Sequence, residues 1–216
     1  MISSSHRLKG DIKDVLYKDV YRVRNLFTTK IDHILDIGAN IGLFSVMCRM
    51  LFPFAKIDAF EPFKETFNFL RQNVALLNIE AHASPLGNGE AFDIEYDWGS
   101  CKTANSLKPT GKMMGMYQSK TLAQIAEMCK LTAPYFIKLD CEGAERFIIG
   151  DLKSEAVISE AAQVSLEIHY NNGATYLDCP TWKDYDDWVG KFTKHKTFFH
   201  CSNKGRGTGI YVMRKI

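Results

Sequence analysis

The stretch HILDIGANIGLFSV, residues 33–46, decides how the rest of the chain is read. An apolar run carrying one acid, Asp36, turns through Gly38, Asn40 and Gly42 into a second apolar run. The first run suits a strand buried on both faces, and the second suits a helix. Strand, glycine turn and helix in this order open a nucleotide-binding α/β sheet. Glycine lets such a turn adopt positive φ or approach a ligand closely. The helix start offers free N–H groups toward the same place.

The pattern is informative in what it omits. A dinucleotide fingerprint requires G-x-G-x-x-G, whereas this turn is G-A-N-I-G, without the middle glycine. The Gly-Lys-Ser/Thr ending of a P-loop is missing as well. An acid on the strand suits a cation better than a pyrophosphate. S-adenosylmethionine offers two cationic centres, its sulfonium and its α-amino group, together with a ribose diol and an adenine. Asp36 is therefore expected to meet the amino-acid end, directly or through water. Glu61 closes the second apolar run nineteen residues past Gly42. There it can accept both ribose hydroxyls, each bond contributing roughly 1.5–3 kcal/mol when shielded from water. NAD enzymes place an acid similarly, so the combination of Asp36, Glu61 and the absent glycine is what favours S-adenosylmethionine.

Alternating segments extend this start. AKIDAFEP reads as a second strand, KETFNFLRQNVALLN as a helix with Phe63, Phe67, Leu70, Val74 and Leu77 on one stripe, and EAHASPL as a third strand. TLAQIAEMCKL gives a helix with Leu122, Ile125 and Met128 inward. PYFIKLD is a fourth core strand with a helix from about Ala144, and AQVSLEIH is a fifth. TWKDYDDWVGKF places Trp182, Tyr185, Val189 and Phe192 on one helical face, and the tail pairs two strands about a Gly-rich basic turn. Residues 11–28, with Leu16, Val20, Val23 and Phe27 at helical spacing, predict a leading amphipathic helix. Residues 90–120 predict a small β-rich insertion of two or three antiparallel strands. The expectation is one α/β domain over residues 1–216: a doubly wound, Rossmann-like sheet with an antiparallel C-terminal hairpin.

Composition excludes other classes. With 46% hydrophobic and 24% charged residues the chain is ordinary globular material. Its most apolar stretch is interrupted by Arg49 and Pro53, which predicts no membrane insertion. The polar start predicts no secretory signal, and the expected location is cytoplasmic. Six scattered cysteines without C-x-x-C argue against a structural zinc or a redox dithiol. The net charge of +2 hides basic ends, with seven Lys/Arg against three acids in residues 1–30 and seven against none in residues 191–216. Such ends can attract an anionic partner or simply form a solvated surface.

Three segments, LDIGANIGLFS, AFEPFKETFNFLRQNV and FIKLDCEGAERFIIGDL, resemble the FkbM-type methyltransferases, a branch of the class I S-adenosylmethionine-dependent enzymes. The match runs from about residue 32 to residue 170, and K-[IL]-D-x-E-G-A-E is its most specific part. Ala123 stands where the family often has an acid. The resemblance implies a seven-stranded sheet and methyl transfer to oxygen, commonly a hydroxyl of a sugar or polyketide-derived product. It also implies that Asp36, Gly38, Asn40 and Gly42 form the first cofactor turn, that Glu61 is the ribose acid, and that Ser84 meets the adenine edge.

Methyl transfer requires an acceptor oxygen aligned with the carbon–sulfur bond and relieved of its proton. Alignment supplies roughly 7–11 kcal/mol and a positioned base typically about 10²–10⁴ in rate. Candidate catalytic residues at the ends of strands four and five are Asp140, Glu142, Glu145, Glu167 and His169, with Lys138 as a pairing residue. Asp140 with His169 can form a base and its orienting carboxylate. Asp140, Glu142 and His169 equally supply ligands for a divalent cation. The expected partner is a small-molecule hydroxyl acceptor, with Tyr96, Trp98 and Tyr170 available to stack on it. RNA or another phosphate-bearing acceptor is the alternative, with Lys204 and Arg206 in its favour, and a cofactor-binding scaffold without turnover is the third.

Overall fold

The computed structural model describes residues 12–26, 29–93, 116–174, 176–203 and 207–216. Its strands are β1 (His33–Ile37), β2 (Lys56–Phe60), β3 (Glu80–His82), β4 (Ala91–Asp93), β5 (Met116–Gln118), β6 (Tyr135–Leu139), β7 (Gln163–His169), β8 (His195–Asn203) and β9 (Thr208–Lys215). Its helices are α1 (Leu43–Leu51), α2 (Lys64–Val74), α3 (Leu122–Met128), α4 (Leu152–Glu160) and α5 (Trp182–Val189). Seven strands form one sheet in the order β3-β2-β1-β6-β7-β9-β8. Only the β7–β9 and β8–β9 pairings are antiparallel in it. This is the expected doubly wound, Rossmann-like sheet. No helix among the described residues is long and apolar enough to cross a membrane.

Alternation along the strands builds two apolar layers. Leu35, Ile37, Ile137, Leu139, Val164 and Leu166 pack on one face with Leu122, Ile125, Ile158, Tyr185 and Trp188. Ile34, Ile57 and Phe136 pack on the other with Phe44, Met47, Tyr21 and Leu26. The chain winds from β1 outward through β2 and β3, then returns to place β6 on the other side of β1. The crevice between the carboxyl ends of β1 and β6 is thus the topological switch point, where ligands of such sheets bind.

Several elements depart from the periodicity. The leading segment is not one helix: a short turn at Lys13–Tyr17 is followed by another at Val23–Leu26. Asp19 (φ 49°) and Arg22 (φ 56°) break it, and the Asp19 carboxylate accepts the N–H groups of Val23 (2.8 Å) and Arg24 (3.0 Å). A short polar side chain that bonds its own backbone competes with a continuous helix. After β6 a single turn, Ala144–Ile148, precedes α4, with Gly150 at φ 83° between them. In α3 and α5, Met128 and Trp182 point outward, and Ala126 and Trp188 take the buried positions. Tyr170, expected as an aromatic wall of the acceptor site, packs in the core instead. Of the β-rich insertion, β4 and β5 pair antiparallel. Its remainder, including Tyr96 and Trp98, lies outside the described residues, as do Lys204 and Arg206.

Candidate active site

The turn from Gly38 to Gly42 follows β1 directly into the crevice. Gly38, Asn40 and Gly42 all have positive φ, at 79°, 52° and 89°. A Cβ on Gly38 would stand 1.7 Å from the Asp140 carbonyl oxygen, and one on Gly42 would stand 2.7 Å from Leu70 Cδ1. The two glycines therefore let the turn close on β6 and let α1 close on α2. Chain packing, not the ligand, fills the space that their missing side chains leave.

Glu61 lies just past β2 and is almost entirely buried. One carboxylate oxygen accepts the N–H of Asn40 and the other that of Phe63, each at 3.0 Å. Burial pushes the carboxyl up to about 7, although the two backbone bonds pull it down. Each oxygen keeps a second lone pair, so a diol has acceptors here. Ser84, in the loop after β3, holds a buried hydroxyl with no hydrogen-bond partner. A buried polar atom without a partner invites one from a ligand. Glu61 and Ser84 thus fit the ribose and adenine of S-adenosylmethionine.

Asp36, expected to meet the amino-acid end of the ligand directly or through water, has its charge met from within the fold. It is fully buried beneath the turn, where the Ser45 hydroxyl donates to it at 2.6 Å and the Lys138 ammonium lies 3.2 Å away. The strand register puts Asp36 opposite Lys138, so the two charges meet on the face that α1 covers. Lys138 also donates to the Gly38 carbonyl at 2.6 Å and lies 3.8 Å from Asp140. Burial lowers the Lys138 pKa, but Asp36 and Asp140 more than offset this and raise it. Lys138 is a strut joining the turn to the end of β6, in keeping with its expected pairing role.

On the other side of the crevice stands a group of acids. The Tyr21 hydroxyl donates to Asp140 Oδ2 at 2.9 Å and lies 3.3 Å from Glu167 Oε2. The phenol has one proton, so the second contact needs a donor from Glu167. Burial and the neighbouring Asp140 push the Glu167 carboxyl up to about 8, which supplies that donor at neutral pH. Tyr21 is held by its carbonyl, which accepts from Ser165 (2.6 Å) and Gln163 (3.1 Å), and by its ring, edge-on to Phe44 at 5.4 Å. Nothing local in the sequence marks Tyr21, because its partners are 119 and 146 residues away.

His169, expected as a base beside Asp140, stands between two acids. Its Nδ1 lies 3.4 Å from Glu145 and its Nε2 3.4 Å from Glu142, with the Tyr176 ring 4.9 Å away. Burial lowers its pKa, but Glu145, Glu142 and Glu167 carry it well above the usual histidine value. Glu142, with φ 54°, also accepts the Tyr176 hydroxyl at 3.0 Å. Glu145 accepts the N–H groups of Cys141 and Gly143 and so braces the loop after β6. The expected cation set of Asp140, Glu142 and His169 does not form. Donor atoms of Asp140, Glu167 and His169 lie within 4.8 Å of one another instead.

The sequence matches the methyltransferase FkbM domain over residues 36–198. Methyltransferase 1 of Beauveria bassiana (strain ARSEF 2860) is 27% identical over 56% of this chain and 59% of its own length. Methyltransferase sdnD of Sordaria araneosa is 41% identical over 30% of this chain and 24% of its own. The chain thus spans little more than half of the first relative and about a quarter of the second. Among solved structures, a methyltransferase FkbM from Methylobacillus flagellatus KT superposes with a TM-score of 0.52 at 15% identity, over 85% of this chain and 43% of that one. The delta-N METTL16 MTase domain gives 0.52 at 11% identity, over 94% and 82%. A sheet of this order, a glycine turn at its switch point and acids at the ends of β6 and β7 agree with the domain match: the chain belongs to the FkbM family of methyltransferases.

Proposed function

We propose that this protein transfers a methyl group from S-adenosylmethionine to a hydroxyl oxygen of a small-molecule acceptor. The observation that carries the reading is the Asp140–Tyr21–Glu167 chain at the switch-point crevice. Bound S-adenosylmethionine supplies an electrophilic methyl carbon. Glu61 and Ser84 hold the nucleoside end, and Glu61 also pins the turn through Asn40. Asp140, 27% exposed at its side chain, is the member of the acid pair that reaches the crevice. It takes the acceptor's proton as the oxygen–carbon bond forms and the carbon–sulfur bond breaks. Tyr21 keeps donating to Asp140 and holds its carboxylate at the crevice, with Glu167 behind it. His169, charged between Glu142 and Glu145, holds the far wall and fixes the loop after β6.

The acidic surroundings support a neutral acceptor over a phosphate-bearing one, since Asp140, Glu142, Glu145 and Glu167 converge there. The test uses labelled S-adenosylmethionine with a panel of sugars and alcohols, alongside RNA. Label is expected on a hydroxyl, and Asp140→Asn is expected to lower turnover by about 10²–10⁴ while leaving S-adenosylhomocysteine affinity within about threefold. Turnover is expected to survive chelation with EDTA. Label appearing on RNA alone, with binding that collapses between about 50 and 200 mM salt, would replace this reading with the phosphate-bearing one.

A further inference from the structure

A second constellation of ligating side chains lies away from the crevice, on the sheet face covered by α3. Asp58 from β2, His82 from β3 and Cys129 at the end of α3 each place one donor atom within 4.8 Å of the others. None of the three has a part in the methyl transfer. Asp58 and Cys129 are buried, whereas the His82 side chain is 25% exposed and opens a path from solvent. We propose that Asp58, His82 and Cys129 bind a zinc ion.

The ligand chemistry selects the metal. One thiolate, one imidazole and one carboxylate make a mixed set that zinc accepts in tetrahedral geometry, with the fourth position left to water. Magnesium and calcium prefer all-oxygen sets and have no use for the sulfur. The charges balance, because the carboxylate and thiolate together neutralise the dication. On binding, zinc replaces the thiol proton of Cys129, which now bonds to Asp58, and takes a lone pair from the His82 ring, whose Nε2 lies 2.7 Å from Asp58 Oδ1. The thiol proton leaves to solvent.

The surroundings are built as metal sites are. His33, fully buried, places Nε2 2.7 Å from Asp58 Oδ2 and so orients the carboxylate from behind. Outer partners of this kind typically change metal affinity by about 10–100-fold. The Phe60 ring stacks on His82 at 4.5 Å and 19°, which fixes the imidazole plane. Lys56 now supplies the compensating charge, 3.2 Å from Asp58. Its side chain is 43% exposed and only 3.9 Å from Glu80, so it can turn outward as zinc enters. The metal would clamp β2, β3 and α3 together below Glu61, whose N–H donates to the His82 carbonyl at 3.1 Å.

The test begins with the unmodified full chain, stripped with chelator, loaded with zinc and passed through gel filtration before elemental analysis. About one zinc per chain is expected. The cobalt-loaded chain should show an intense near-ultraviolet thiolate-to-cobalt band. Cys129→Ser should abolish that band, and His82→Asn should weaken zinc binding by at least about tenfold. His33→Gln should weaken it by about 10–100-fold without removing the band. No retained zinc, a cobalt spectrum without the sulfur band, or unchanged affinity in both ligand variants would each overturn the assignment.

Discussion

Replacing Glu61 with glutamine should strengthen the free protein at alkaline pH while weakening its hold on the methyl donor. Burial raises this carboxyl from its ordinary 4.5 to about 7. The folded state therefore binds the proton more tightly than the unfolded chain does. Stability is full below the unfolded value, falls as pH rises between the two values, and is flat above the folded one. A rise from 4.5 to about 7 corresponds to about 3 kcal/mol lost across that window. Glutamine carries no such penalty, but its single carbonyl cannot serve both Asn40 and Phe63, which costs about 1–3 kcal/mol at every pH. Relative to the parent, Glu61→Gln should thus gain about 3 kcal/mol between about pH 4.5 and about pH 8. Urea unfolding at the two pH values measures this difference. On the binding side the variant loses charge-assisted acceptance of the ribose hydroxyls, at roughly 1.5–3 kcal/mol for each. Calorimetry should show S-adenosylhomocysteine binding weakened by at least about tenfold, since about 1.4 kcal/mol is one factor of ten. Parallel stability curves would refute the buried-acid argument, and unchanged affinity would remove Glu61 from the ribose site.

Three other perturbations test the remaining geometry. Tyr21→Phe keeps the ring against Phe44 and removes only the hydroxyl between Asp140 and Glu167. Turnover should fall by at least about tenfold with S-adenosylhomocysteine affinity unchanged, and equal rates in single-turnover assays would exclude a part for the hydroxyl. The rate should rise with pH through about 8, because Glu167 then ionises and adds a negative charge behind Tyr21 and Asp140 that draws the acceptor's proton inward. A flat pH–rate profile, or the same inflection in Glu167→Gln, would contradict that assignment. Gly38→Ala would place a Cβ 1.7 Å from the Asp140 carbonyl in a backbone with φ 79°. It should destabilise the protein by more than about 2 kcal/mol in urea unfolding, and near-parental stability would show that the turn does not close on β6.

Part of this protein could be read directly from its residues. Strands and helices announce themselves by local period, so the alternation from His33 to His169 was enough to place a mostly parallel sheet with its site at the strand ends. The glycine turn, the Glu61 position and the acids after β6 were legible for the same reason, since each is local in the chain. That the Ser84 hydroxyl is buried without a hydrogen-bond partner was not legible there. What each charged side chain does with its charge was another matter. Asp36 turned out to pair with Lys138, His169 to lie between Glu142 and Glu145, and Tyr21 to bridge Asp140 and Glu167. Spacing along the chain specifies which face of an element a residue occupies, and that much the residues alone determined. A proton's location depends on burial and on charges within a few ångströms, and only the folding together of β1, β6, β7 and the leading segment brought those charges within reach.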